Sequence, residues 1–162
     1  MGPIPGAFRS RCPSRLLAHY TGINATNDSL QMNPEVRSFH HQDTFTWSHV
    51  AVDAASRRAA IIDPVLDFDP VTGQVQTHSA QRLLEYITTT GLGVDWILET
   101  HIHADHLTAA AWLKGRLEAS GSKPRIGIGR GMLSVQRTFK QKLNLGDEFA
   151  ADGREFDVFF DD

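Results

Sequence analysis

Eleven residues constrain this chain more than any others: Ile97 to Leu107, reading ILETHIHADHL. Three histidines and two acids (Glu99, His101, His103, Asp105 and His106) fall within eight positions, directly after an apolar run that ends at Leu98. Val94, Trp96, Ile97 and Leu98, with Ala104 inside the cluster, place it at the end of a buried strand over about 94–99. Residues two apart in extended backbone point the same way, so His101 and His103 can reach one ion together. Asp105 and His106 fall where the backbone turns into a helix, expected from about His106 to Glu118. They are placed either to aim at a second metal position or to serve the first metal's water. Glu99 shares the parity of His101 and is expected to support a ligand from behind. Imidazole and carboxylate together suit zinc, iron(II) or manganese.

The rest of the chain supplies a scaffold for that loop. Phe45 to Asp53 alternates, and Ala59 to Asp63 follows across AASRR, which predicts a β-hairpin with both Ile61 and Ile62 buried. Asp63 ends the second strand and Pro64 stops it, leaving Asp63 as a turn residue or as a buried group bonding near the active loop. Asp67 to Gln76 reads as a turn-rich excursion. Ala80, Leu83, Leu84 and Ile87 recur at helical spacing after Ser79, a candidate N-cap, and the helix stops at Gly91 to Gly93. Ala110, Leu113 and Leu117 form one face of the second helix. Arg125 to Ile128 is a short strand, a third helix follows from Met132, and Phe156 to Phe160 runs toward another strand. Strands alternating with helices imply an α/β layered fold, with its chemistry at strand C-termini. His40, His41 and His78 read as surface residues, and nothing is staked on His19 or His49.

Composition narrows the class. The chain has 162 residues, enough for one domain with a core or for part of a larger one. A net charge of -3 gives no general attraction to nucleic acid. No apolar run approaches a membrane span. One cysteine, Cys12, excludes an internal disulfide and a cysteine-rich metal site. Lys114 to Lys142 holds eight Lys or Arg against the single acid Glu118, either as solvated helix faces or as a basic rim for an anionic substrate. Residues 1–33 lack a sustained period and read as a variable or disordered leader, with residues 34–162 forming the domain. The first twenty residues carry arginine and no acid, but Pro3, Pro5 and Pro13 break any amphipathic helix. Cytoplasmic is therefore the default location and mitochondrial the alternative.

The segment His101-Ile-His103-Ala-Asp105-His106 resembles the HxHxDH motif of the metallo-β-lactamase superfamily, and Asp63 in AAIIDP resembles its other early motif. IIDPVLDFDPVTG, VDWILETHIHADHLTAA and IGIGRGMLSVQRTFKQKLNLG resemble the persulfide dioxygenase branch. The resemblance covers about residues 34–162. It implies an αββα sandwich, here about its first half. It also implies a mononuclear iron(II) enzyme that oxidises glutathione persulfide with O2 to sulfite and glutathione, with His101 as an iron ligand. In the superfamily's dinuclear hydrolases, which use zinc or a dinuclear site on thioester or lactam-like substrates, His101 and His103 match one metal while Asp105 and His106 match the other. Asp105 then orients the water or binds the second ion, and Asp63, Glu99 and Thr100 support the ligands. The substrate implied is a small thiol or persulfide, glutathione-like. The family's later histidine and bridging aspartate have no match in this chain, since no histidine follows His106. The chain is thus expected to be an inactive fragment whose open sheet edge favours pairing with a missing half or, in the intact protein, a homodimer.

Overall fold

A computed structural model describes residues 33–161. Residues 1–32, with Cys12 and His19, lie outside the described residues, and so does the reading of that stretch as a leader. The chain forms β1 (Glu35–His41), β2 (Thr46–Asp53), β3 (Arg58–Ile62), β4 (Val65–Asp69), β5 (Gln74–Gln76), α1 (His78–Thr90), β6 (Gly93–Glu99), β7 (Leu107–Thr108), α2 (Ala110–Ala119), β8 (Arg125–Gly129), α3 (Met132–Lys142) and β9 (Val158–Phe160). Six strands make one mixed sheet in the order β1-β2-β3-β6-β8-β9, and three make a second in the order β5-β4-β7. β1 to β3 run antiparallel, whereas β3, β6, β8 and β9 run parallel. Sheets and helices together form the expected α/β sandwich.

The core lies between the large sheet and helices α1 and α2. Val50, Ile61, Val94 and Ile97 from the strands meet Leu83 and Ile87 of α1 and Leu113 and Leu117 of α2. In β6 the inward residues Val94 and Ile97 are three apart, which a regular strand forbids. The register between β3 and β6 shifts at Ala59/Ala60, so that Ala60 pairs with Trp96 and Asp95 is skipped. The displaced Asp95 accepts the Arg58 guanidinium instead. That bulge brings Glu99, two residues beyond Ile97, onto the buried side.

Several expectations change. Ile61 is fully buried but Ile62 only partly, because alternation sends it to the other face. β1 adds an antiparallel strand that the hairpin reading did not include. Asp67 to Gln76 holds the hairpin of β4 and β5, turned by Asp69, whose carboxylate accepts Val71 N–H and the Thr72 hydroxyl. α1 starts at His78 after Thr77, and Ser79 does not cap it. The N–H and hydroxyl of Ser79 donate instead to Asp67, at 2.8 and 2.7 Å. His41 is no surface residue. It is buried between the Thr44 hydroxyl at 2.6 Å and Asp67 Oδ1 at 3.2 Å. The second helix begins at Ala110 rather than near His106, because Leu107 and Thr108 pair with β4 before the chain coils.

Candidate metal centre

The loop between β6 and β7 carries the histidine cluster, and three connections hold it. Asp63, just past β3, adopts a left-handed backbone conformation with φ of 48°, which an aspartate tolerates better than most residues. Its N–H donates to Leu98 O at 2.9 Å, and its own carbonyl accepts the Ser48 hydroxyl at 2.8 Å. So fixed, its carboxylate accepts the Thr100 N–H at 2.7 Å and the Thr100 hydroxyl at 2.8 Å, and lies 3.1 Å from His103 Nε2. Sequence left Asp63 as a turn residue or a loop partner; it is both.

These contacts decide which ring nitrogens are free. The Thr100 hydroxyl spends its proton on Asp63, so its oxygen accepts from His101 Nδ1 at 2.8 Å, leaving the lone pair of His101 on Nε2. His103 Nε2 faces Asp63 Oδ1 and Glu99 Oε2, each at 3.1 Å, so that nitrogen carries the proton and Nδ1 keeps the lone pair. A carboxylate behind an imidazole is the usual arrangement around a metal-binding histidine.

Three of the four candidate ligands converge, and His106 packs against them. Donor atoms of His101, His103 and Asp105 lie within 4.8 Å of one another. The rings of His101 and His103 are 4.2 Å apart, and those of His103 and His106 are 4.1 Å apart. Asp105 Oδ1 stands 3.4 Å from His106 Nδ1 and 3.6 Å from His103 Nδ1. His103 Nδ1 and both ring nitrogens of His106 are buried without a hydrogen-bond partner among the described residues. Buried polar atoms normally find partners. Each of these two neutral rings has one lone pair to offer, and with the exposed Asp105 carboxylate beside them they fit a divalent cation such as zinc or iron.

Electrostatics favour the ligand-ready forms. Burial, and then the adjacent His103, push the His106 imidazole below its ordinary value, so it stays neutral more readily. The Asp105 carboxyl is held below its usual range by its own backbone N–H and then by the neighbouring imidazoles. Burial raises Glu99 to about 7, a rise that the Thr108 hydroxyl opposes and Asp63 reinforces.

A cavity of about 370 Å³ opens beside the cluster, walled by Ile102, Leu107, Phe139, Phe149 and Phe156. Among the described residues its acidic lining is Glu99 and Glu155, and Lys140 of the basic stretch reaches the wall by donating to Phe149 O at 2.6 Å. Lys114 pairs with Asp157 and Arg130 with Asp161, and Arg125 lies over the Trp96 ring. Gln136 of α3 bolts this wall together: its carbonyl accepts Gly153 N–H at 3.0 Å and its amide donates to Glu155 at 3.3 Å. The sequence reading missed this wall, although the Phe139 and Phe156 positions were visible as apolar residues near the chain's end.

An α/β sandwich with imidazole and carboxylate donors converging at a strand end defines a metal-dependent enzyme class. Residues 50–149 match the family model of the metallo-beta-lactamase superfamily, and the chain belongs to that superfamily. It is 42% identical over 127 residues to a "Probable metallo-hydrolase" of Burkholderia pseudomallei (strain 1710b), covering 78% of this chain and 42% of that protein. To a "Beta-lactamase hydrolase-like protein" of Agrobacterium fabrum it is 39% identical over 128 residues, covering 79% of this chain and 28% of that protein. To the mitochondrial persulfide dioxygenase ETHE1 of Bos taurus it is 30% identical over 82 residues, covering 51% of this chain and 28% of that protein. The chain thus spans less than half the length of each of these relatives.

Proposed function

We propose that this protein is a metal-dependent hydrolase acting on a thioester or lactam-like carbonyl, with His101, His103, Asp105 and His106 holding the ion. The observation that carries the reading is the set of buried, unpartnered nitrogens on His103 and His106 beside the Asp105 carboxylate. A divalent ion bound there would supply Lewis acidity and lower the pKa of a coordinated water toward about 7. His101 and His103 offer Nε2 and Nδ1, oriented from behind by Thr100, Asp63 and Glu99. Asp105, exposed to solvent and held ionised, orients the attacking water or serves a second ion with His106. The apolar wall around Phe139 and Phe156 excludes water from one side of the reacting carbonyl.

Hydrolase-named relatives align over more of the chain than the dioxygenase-named one, which supports the hydrolase over the dioxygenase reading. The second reading keeps the same ligands around iron(II), with glutathione persulfide and O2 as substrates, and the ETHE1 similarity favours it. The dioxygenase reading takes a small thiol derivative, and the hydrolase reading takes one in its thioester form. Elemental analysis of the natively purified protein, with thioester hydrolysis and persulfide-dependent O2 uptake measured on the same sample, separates them. Zinc with hydrolysis is the expected result. Iron with O2 uptake moves the assignment to the dioxygenase, and a protein that retains no metal overturns both.

A further inference from the structure

Thr108 entered no expectation drawn from the sequence, yet its hydroxyl stands in a line of hydrogen bonds that ends on a candidate metal ligand. The N–H of Ala110, first residue of α2, donates to Thr108 Oγ1 at 3.0 Å. With that lone pair engaged, the hydroxyl proton turns onto Glu99 Oε1. The other carboxyl oxygen of Glu99, Oε2, lies 3.1 Å from His103 Nε2. We propose that Thr108 is a positioning residue for the metal centre: by donating to Glu99 it presents that carboxyl to His103 as an acceptor, and so fixes the proton on Nε2 and the lone pair on Nδ1.

The inference rests on the proposed metal centre, and the geometry isolates the hydroxyl from the rest of Thr108. Backbone pairing of β7 with β4, Val65 to Thr108 and Leu66 to Leu107, holds the residue in place without its side chain. Glu99 is 5% exposed, so no water replaces a lost donor easily. His103 Nδ1, at the far end of the line, is one of the buried nitrogens that lacks a partner. A neutral imidazole has one N–H to place, and Asp63 Oδ1 and Glu99 Oε2, both acceptors once Glu99 is ionised, claim it together at Nε2. Weakening one of them frees the proton to move to Nδ1, where it blocks the ion.

Valine is nearly isosteric with threonine and equally suited to a strand, so Thr108→Val removes the hydroxyl alone, and Thr108→Ser restores it. The tautomer of His103 is read in the metal-free full chain by two-bond 1H–15N correlation on labelled histidines, and metal uptake by titration with Co2+ followed in visible absorption. Wild type and Thr108→Ser should carry the His103 proton on Nε2 and bind Co2+ alike. Thr108→Val should show a mixed tautomer, an altered Co2+ spectrum and an affinity weaker by about tenfold. A wild-type His103 protonated on Nδ1 overturns the proposal, as does a Thr108→Val chain indistinguishable from wild type in both readouts. A wild-type chain that takes up no Co2+ overturns the metal centre itself, and with it the role of Thr108. That failure is distinct from one in which wild type and variant bind Co2+ equally.

Discussion

Asp63 Oδ1 lies 3.1 Å from His103 Nε2, although the two residues stand 40 apart in the chain. The same carboxylate accepts the N–H and hydroxyl of Thr100, and through that hydroxyl it orients His101 as well. One acid at the end of β3 therefore sets which nitrogen keeps its lone pair on two candidate ligands. Its left-handed backbone, anchored by Leu98 and Ser48, is what turns the side chain toward the loop.

Asp63→Ala should lower stability by about 2–3 kcal/mol, since it leaves the Thr100 N–H and hydroxyl without their acceptor, leaves His103 Nε2 with Glu99 alone, and puts alanine at a positive φ. Asp63→Asn should cost less, because asparagine accepts that backbone conformation and keeps one acceptor oxygen. Urea unfolding of the metal-free chains measures both; equal losses would remove the hydrogen bonds from the explanation.

His101→Ala should abolish metal retention after dialysis, and His106→Ala should reduce it, because each removes an imidazole from the cluster. Metal content per chain by elemental analysis is the measurement. Unchanged content in His101→Ala would contradict its role as a ligand.

Glu99 gives the metal-free chain a pH dependence of defined sign. Its ordinary value is 4.5, and burial raises it to about 7 in the folded chain. Between those two values the folded chain holds a proton that the unfolded chain has lost, so stability falls as pH rises through that window and levels off above it. Glu99→Gln does not titrate, and its stability relative to wild type should climb from about pH 5 to about pH 7 and then flatten. Urea midpoints at a series of pH values test this, and a constant difference would count against it.

Leu113 on α2 is fully buried in the core between helix and sheet. Leu113→Ala should cost about 2–5 kcal/mol, read as a lower thermal or urea midpoint. Ile62→Ala should cost less, since Ile62 is only partly buried. A larger loss at Ile62 would show that the other face of the sheet is better packed than its exposure indicates.

The sequence by itself determined what local pattern can encode. Alternation from Phe45 to Asp53 and the spacing of Ala80, Leu83 and Ile87 mark β2 and α1, and the crowding of His101, His103, Asp105 and His106 behind Leu98 marks the candidate site. Only the tertiary structure decided which groups stand behind those ligands. The partners of Asp63 and Thr108 depend on β3, β6 and β7 being brought side by side, and on a bulge at Asp95 that no periodicity announces. His41 was misplaced for the same reason: its partner Asp67 lies on β4, in the other sheet. The start of α2 was misplaced too, because pairing of Leu107 and Thr108 with β4 outweighs their readiness to coil. Hydrophobic period is a property of neighbours along the chain, whereas the acceptor that fixes a proton on an imidazole comes from wherever folding delivers it.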